Sequence, residues 1–193
     1  MSTNGNAVSV NMKSTPDGKV KILDNWLDPD LTSYLGDTFL NQYPHYFVER
    51  SRKEVGKMYS HDFNPTDHMM QYMTRKIKKL FEYDINFNRI YFNVQHPGMS
   101  GAFHVDSKGL GDAGHTVMLM MTPKDEGGEF FYRPDPDDDL NVAKIEYEQN
   151  RLLIFPAEIE HYGSYFKTTP RITLVFKTIR QGLDEPGGQF FQE

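Results

Sequence analysis

The stretch SGAFHVDSKGL, residues 100–110, alternates like a β-strand: Phe103 and Val105 fall on one face, His104 and Asp106 on the other. An imidazole and a carboxylate two residues apart, aimed the same way, are the beginning of a metal site. The pair alone says little. With 7 His and 27 Asp plus Glu among 193 residues, a His-x-acid pair is expected about once by chance. Its meaning depends on what surrounds it.

Composition narrows the chemistry. The chain contains no Cys, which excludes disulfides, thiolate metal ligands and cysteine nucleophiles, so any metal must be held by His and carboxylates. A length of 193 residues with 38% apolar content suits one domain with a core of its own. Residues 1–17, rich in Ser, Asn and Gly, read as a disordered tail ahead of a single domain over 18–193. The beginning of the chain has no apolar core long enough for a signal peptide. The longest apolar runs, TVMLMM (116–121) and LLIF (152–155), are too short to span a bilayer. The expectation is a soluble, cytoplasmic protein with no membrane partner. The net charge of −6 argues against a general nucleic-acid binder, which needs a basic surface. RSRK (50–53) and RKIKK (75–79) are nevertheless local basic patches.

Working outward from residue 100, the pattern divides in two. On the N-terminal side, KVKILDNWL (19–27) gives a short strand-like run. DPDLTSYLGDTFLNQ (28–42) then reads as a helix, with Pro29 in its first turn and Leu31, Leu35 and Phe39 spaced by four. NPTDHMMQYMTRKIKKLFEY (64–83) reads as a second helix, whose stripe of Met69, Met73, Ile77 and Leu80 is core packing. From Arg89 onward the chain is a series of short strands broken by Gly, Pro and Asp. They are RIYFNVQ (89–95), GAFHVD (101–106), HTVMLMM (115–121), GEFFY (128–132), AKIEYE (143–148), RLLIF (151–155), HYGSYF (161–166) and RITLVFKTI (171–179). This order implies a mainly β fold with flanking helices and a jelly-roll or double-stranded β-helix core. The acidic run RPDPDDDLN (133–141) lacks the EF-hand spacing and reads as a solvated loop.

Two further residues join the first pair. In NRLLIFPAEIEHYGSYF (150–166) an apolar strand ends at Pro156, and His161 opens the next run. Ten residues later, PRITLVFKT (170–178) places Arg171 and Thr173 on one face of an otherwise apolar strand. An arginine buried there needs an anion, and a guanidinium binds a carboxylate through two parallel hydrogen bonds. His115 and His96 compete with His161 for the role of second imidazole ligand.

His104-x-Asp106, His161 and Arg171-x-Thr173, in that order, resemble the Fe(II)/2-oxoglutarate dioxygenases, and most of all their prolyl 4-hydroxylase branch. HPGMSGAFHVD (96–106), DEGGEFFY (125–132) and RLLIFPAEIEH (151–161) carry the likeness across residues 89–179. KILDNWLDPDLTSYL (21–35) is similar to the family's N-terminal segment. The resemblance implies a double-stranded β-helix in which His104, Asp106 and His161 ligate a catalytic Fe(II) and leave open positions. It implies Arg171 as the partner of the distal carboxylate of 2-oxoglutarate, with Thr173 sharing that carboxylate. Gln95 stands where many prolyl hydroxylases carry a Tyr, and is expected to donate a hydrogen bond to 2-oxoglutarate. Met118, Met120 and Met121 stand on a strand that is often aromatic in relatives.

The cofactors implied are Fe(II), 2-oxoglutarate and O2, with ascorbate as a reductant, and the products are succinate, CO2 and a hydroxylated substrate. The partners implied are 2-oxoglutarate and a peptide or small-molecule substrate, with a prolyl residue as the leading target. The alternatives are a free amino-acid or small-molecule hydroxylase, a nucleic-acid demethylase, and a non-catalytic cupin-like binding module. Residues 45–65, 107–114 and the acidic 135–139 are expected to border the substrate groove, the last favouring peptides with Lys or Arg.

Overall fold

The computed structural model describes residues 12–48, 58–99, 101–107 and 113–182. Helix α1 (Pro29–Asn41) starts where the Asp28 carboxylate accepts hydrogen bonds from the amides of Asp30 and Leu31, with Pro29 in the first turn. It buries Leu35 and Phe39. Helix α2 (His68–Lys78) buries Met70, Met73 and Ile77, so the stripe begins at Met70 and not at Met69, which is only partly buried. The expected helix was longer. With the helix beginning at His68, an i, i+3, i+7 series from Met70 faces the sheet.

The strands are β1 (Met12–Ser14), β2 (Lys21–Leu23), β3 (Tyr46–Val48), β4 (Met58–Asp62), β5 (Ile85–Gln95), β6 (Gly114–Met120), β7 (Phe130–Tyr132), β8 (Ala143–Ile145), β9 (Leu152–Pro156), β10 (His161–Gly163) and β11 (Arg171–Arg180). They form an eight-stranded sheet in the order β1-β2-β9-β6-β11-β5-β4-β3 and a three-stranded sheet in the order β10-β7-β8. All the pairings are antiparallel. This is the mainly β architecture with flanking helices, built on a double-stranded β-helix core.

Alternation along the strands sorts the core into two layers. Phe92 and Val94 of β5, Val117 and Leu119 of β6, and Leu174 and Phe176 of β11 pack with Phe39 of α1 and Met70 and Met73 of α2. Their neighbours Tyr91, Met118 and Val175 pack the other way, against Phe130, Tyr132 and Ile145 of the small sheet. The site lies in this second layer.

Three sequence expectations change. The segment 101–106 is not a strand; among the described residues it makes a single bridge, His104 to His161, because it runs beside the short strand β10 without a second partner. Strands β3 and β4 fall in the polar stretch 45–65, where apolar alternation is too weak to mark them; β4 forms by pairing with β5, and β3 by pairing with β4. The tail was expected to extend to residue 17, yet Met12–Ser14 pairs with Lys21–Leu23. A turn closes this hairpin, with the Gly18 amide donating to the Thr15 carbonyl. Residues 1–11 lie outside the described residues. Among the described residues no helix is long and apolar enough to cross a membrane.

Candidate metal centre

Backbone pairing brings the two histidines together. The His104 amide donates to the His161 carbonyl at 3.0 Å and the His161 amide to the His104 carbonyl at 2.9 Å, which sets the rings 4.5 Å apart. The Asp106 amide donates to Ala157 at 2.9 Å, so the carboxylate is carried to the same side although no regular strand forms. One ligand atom from each of His104, Asp106 and His161 lies within 4.8 Å of the others, the one such group among the described residues.

Each ring is oriented by its own chain. The Nδ1 atoms of His104 and His161 meet the carbonyls of Ala102 and Ile159, two residues upstream, at 2.9 and 2.8 Å. An N–H donated there fixes the tautomer and leaves the Nε2 lone pair for a metal. Burial pushes the His161 pKa down to about 4, the nearby Asp106 notwithstanding, so the imidazole is neutral at pH 7 as ligation requires. Each Nε2 lies 3.7 Å from an Asp106 carboxylate oxygen.

Asp106 is the anionic hub. Burial by itself would raise its pKa, but His161, Lys177 and the Thr116 hydroxyl together hold it well below the usual carboxylate range. Thr116 donates to Oδ2 at 2.6 Å, and Lys177 Nζ lies 3.1 Å from Oδ1. Neither Thr116 nor Lys177 was singled out from sequence. The only local signal was their polarity on largely apolar strands.

At the other end of the same cavity, of about 120 Å³, lies Arg171, 3% exposed. Its Nε donates to the Gly128 carbonyl at 3.1 Å and its Nη1 to Gln95 Oε1 at 2.7 Å, while Nη2 is buried with no hydrogen-bond partner. A buried guanidinium with one edge held and one edge open is set for a carboxylate. Gly163 makes room for it: a Cβ there would sit 2.9 Å from the guanidinium. Thr173 faces the same cavity, 2% exposed.

Gln95 lines the same cavity. It pairs directly across from Arg171 on the neighbouring strand. Its amide NH2 donates to the carbonyls of Met99 and Gly163, and its oxygen accepts from Arg171. Both amide hydrogens are thus directed at the backbone, and the side-chain oxygen holds the arginine.

The rival histidines lie elsewhere. His115 Nδ1 is 3.4 Å from the Tyr83 hydroxyl and its ring packs on Phe81, while His96 packs edge-on against Tyr59. Among the described residues, none of the acidic run 135–139 lines the metal cavity; Met58 and Ser60 of the 45–65 stretch do. Residues 108–112 of the 107–114 segment lie outside the described residues.

No protein-family model and no curated protein sequence matches the chain. Solved structures do. A Burkholderia pseudomallei oxidoreductase of the 2OG-Fe(II) oxygenase family superposes with a TM-score of 0.68 at 14% identity, over 88% of this chain and 89% of that one. A Trichoplax adhaerens prolyl hydroxylase, in complex with a hypoxia inducible factor oxygen degradation domain peptide fragment, gives 0.66 at 14%, covering 84% of each chain. HygX of Streptomyces hygroscopicus, with nickel, 2-oxoglutarate and hygromycin B bound, gives 0.63 at 7%, over 86% of this chain and 84% of that one. The chain therefore has the double-stranded β-helix fold of the 2OG-Fe(II) oxygenases, prolyl hydroxylases among them.

Proposed function

We propose that the chain is a 2-oxoglutarate- and Fe(II)-dependent dioxygenase that hydroxylates a C–H bond, with a prolyl residue of a peptide or protein as its target. The observation that carries this reading is the buried, unpartnered Nη2 of Arg171 in the same cavity as His104, Asp106 and His161. A metal-binding module without a dicarboxylate ligand has no use for that cation.

Each group in the cavity has a part in the reaction. His104 and His161 would offer their Nε2 atoms, and Asp106 an anionic oxygen, to the iron. Arg171 binds the distal carboxylate of 2-oxoglutarate, with Gln95 and Gly128 fixing its fork and Thr173 adding a hydroxyl. Met118, Phe130 and Phe155 wall the cavity and exclude water. When bound, iron, 2-oxoglutarate and O2 supply the oxidising equivalents, with succinate and CO2 released and ascorbate serving as reductant.

The prolyl target rests on HPG (96–98), HVD (104–106), GGEF (127–130) and LIFP (153–156), which resemble prolyl hydroxylases, and on the fold shared with a peptide-binding prolyl hydroxylase. The test offers proline-containing peptides, free proline and a methylated oligonucleotide with Fe(II), 2-oxoglutarate, ascorbate and O2. Succinate and added oxygen are read by mass spectrometry. Oxygen added to peptidyl proline supports the whole reading. Hydroxylation confined to free amino acid, or demethylation of the oligonucleotide, rejects the peptidyl target, and no succinate under any condition rejects the enzyme.

A further inference from the structure

Lys177 is a cation that the proposed chemistry leaves over. It stands six residues beyond Arg171 on β11 and faces the same cavity, and its side chain is 21% exposed. Its register partner on β5 is Arg89. Two like charges directly opposite each other on neighbouring strands destabilise a sheet. They also flank one ring: the Arg89 guanidinium lies 4.2 Å and Lys177 Nζ 5.9 Å from the centre of Tyr91. Arg89 is neutralised by Asp62, through Nε to Oδ1 at 2.6 Å and Nη2 to Oδ2 at 3.0 Å. Among the described residues, the ionic and hydrogen-bond partners of Lys177 Nζ are the Asp106 carboxylate and that residue's backbone carbonyl, at 3.1 and 3.3 Å.

Asp106 cannot serve Lys177 and the metal equally. With the site loaded, the two charges of the iron and the one on Arg171 are met by Asp106 and the two charges of 2-oxoglutarate. Lys177 then remains as a net positive charge beside the metal, at the partly open side of the cavity. In a site of low dielectric such a charge calls for an anion.

We propose that Lys177 selects substrates carrying a carboxylate next to the carbon to be hydroxylated, held between Lys177 and the edge of Tyr91. This deepens the dioxygenase reading and rests on it. The carboxylate has two sources: an acidic side chain beside the target proline in a peptide, or the α-carboxylate of a small-molecule amino acid. Among the described residues, none of the acidic run 135–139 lines the cavity, whereas Lys177 and Arg89 do, beside Arg171 and Asp106. Acidic substrates are therefore favoured over the basic peptides expected from that run.

The experiment uses the full chain loaded with Fe(II) and 2-oxoglutarate under nitrogen, so that binding is read by calorimetry without turnover. One arm titrates paired peptides that differ only in Glu or Gln beside the proline. The other titrates N-acetylproline against N-acetylprolinamide. The acidic member of at least one pair is expected to bind about tenfold more tightly, the worth of one charge-assisted hydrogen bond. The ratio should shrink with rising salt, fall to about one in Lys177→Met and be retained in Lys177→Arg. Because Lys177 touches Asp106, iron content is measured in each variant; if Lys177→Met loses iron, the salt dependence in the wild-type chain decides.

Equal binding of both members in both arms, absence of binding included, overturns the proposal, as does a preference that survives Lys177→Met in iron-loaded protein. Admitting O2 to the same mixtures separates the two readings. Hydroxylation of both peptides with no charge preference in either arm keeps the prolyl reading and sinks the Lys177 proposal. A carboxylate preference seen only with N-acetylproline does the reverse.

Discussion

Gly163→Ala tests the anchor for 2-oxoglutarate with a single methyl group. Gly163 is not among the glycines with positive φ, so alanine fits its backbone without strain. The added Cβ, however, would lie 2.9 Å from Cζ, Nη1 and Nη2 of Arg171. Ordinary carbon contacts begin near 3.5 Å, so the guanidinium must retreat by about 0.5–1 Å. Gly163 itself has little room to yield. It pairs with Phe130, and its carbonyl accepts from the Gly101 amide and from Gln95, each at 3.2 Å. A shift of that size breaks the 2.7 Å bond to Gln95 or the 3.1 Å bond to Gly128 and turns the open edge away from its carboxylate.

Loss of one charged hydrogen bond costs about 1.5–3 kcal/mol, or roughly 10- to 150-fold in affinity. The assay is the dependence of succinate formation on 2-oxoglutarate, with iron content and thermal midpoint measured in parallel. Weakened 2-oxoglutarate binding with iron retained is expected, since the atoms nearest the new methyl all belong to Arg171. An unchanged affinity would refute the placement of the guanidinium as carboxylate anchor, and equal loss of iron would show that the change is structural.

His104→Ala, Asp106→Ala and His161→Ala should each lose iron and turnover while keeping the fold by circular dichroism; His115→Ala should keep both, and the opposite pattern would overturn the assignment of His161. Arg171→Ala should weaken 2-oxoglutarate by about 2–5 kcal/mol with a smaller effect on iron, and Arg171→Lys should be intermediate because it keeps the charge and loses the fork. The metal-free chain should lose stability on acidification. His161 titrates near 4 when folded and near 6.5 when unfolded. Its contribution is therefore complete above pH 6.5 and falls by up to about 3 kcal/mol towards pH 4. Asp106, also lowered, adds a further loss below its unfolded pKa. Urea melts of the wild-type chain against His161→Asn check this, and a pH-independent difference between the two would refute it.

His104, Asp106, His161, Arg171 and Thr173 could be singled out in the sequence by local pattern and by the resemblance they carry, whereas Thr116 and Lys177 could not. Alternation marks which residues share a face, so Arg171 and Thr173 could be placed together on an apolar strand, and His104 with Asp106, before any partner was known. The helices and most strands follow from the same short-range periodicities. What only the tertiary structure decided is the partner of each side chain. Gln95 accepts from Arg171 because β5 and β11, 76 residues apart at that point, pair in one register. His161, already preferred to His115 on the resemblance, meets His104 through a backbone bridge, and Lys177 joins Asp106 across 71 residues of chain. Strand β4 took shape only against β5, and β3 only against β4. Register is a long-range quantity, set by packing both faces of a sheet at once, and a shift of one residue would turn every one of these side chains to the opposite face.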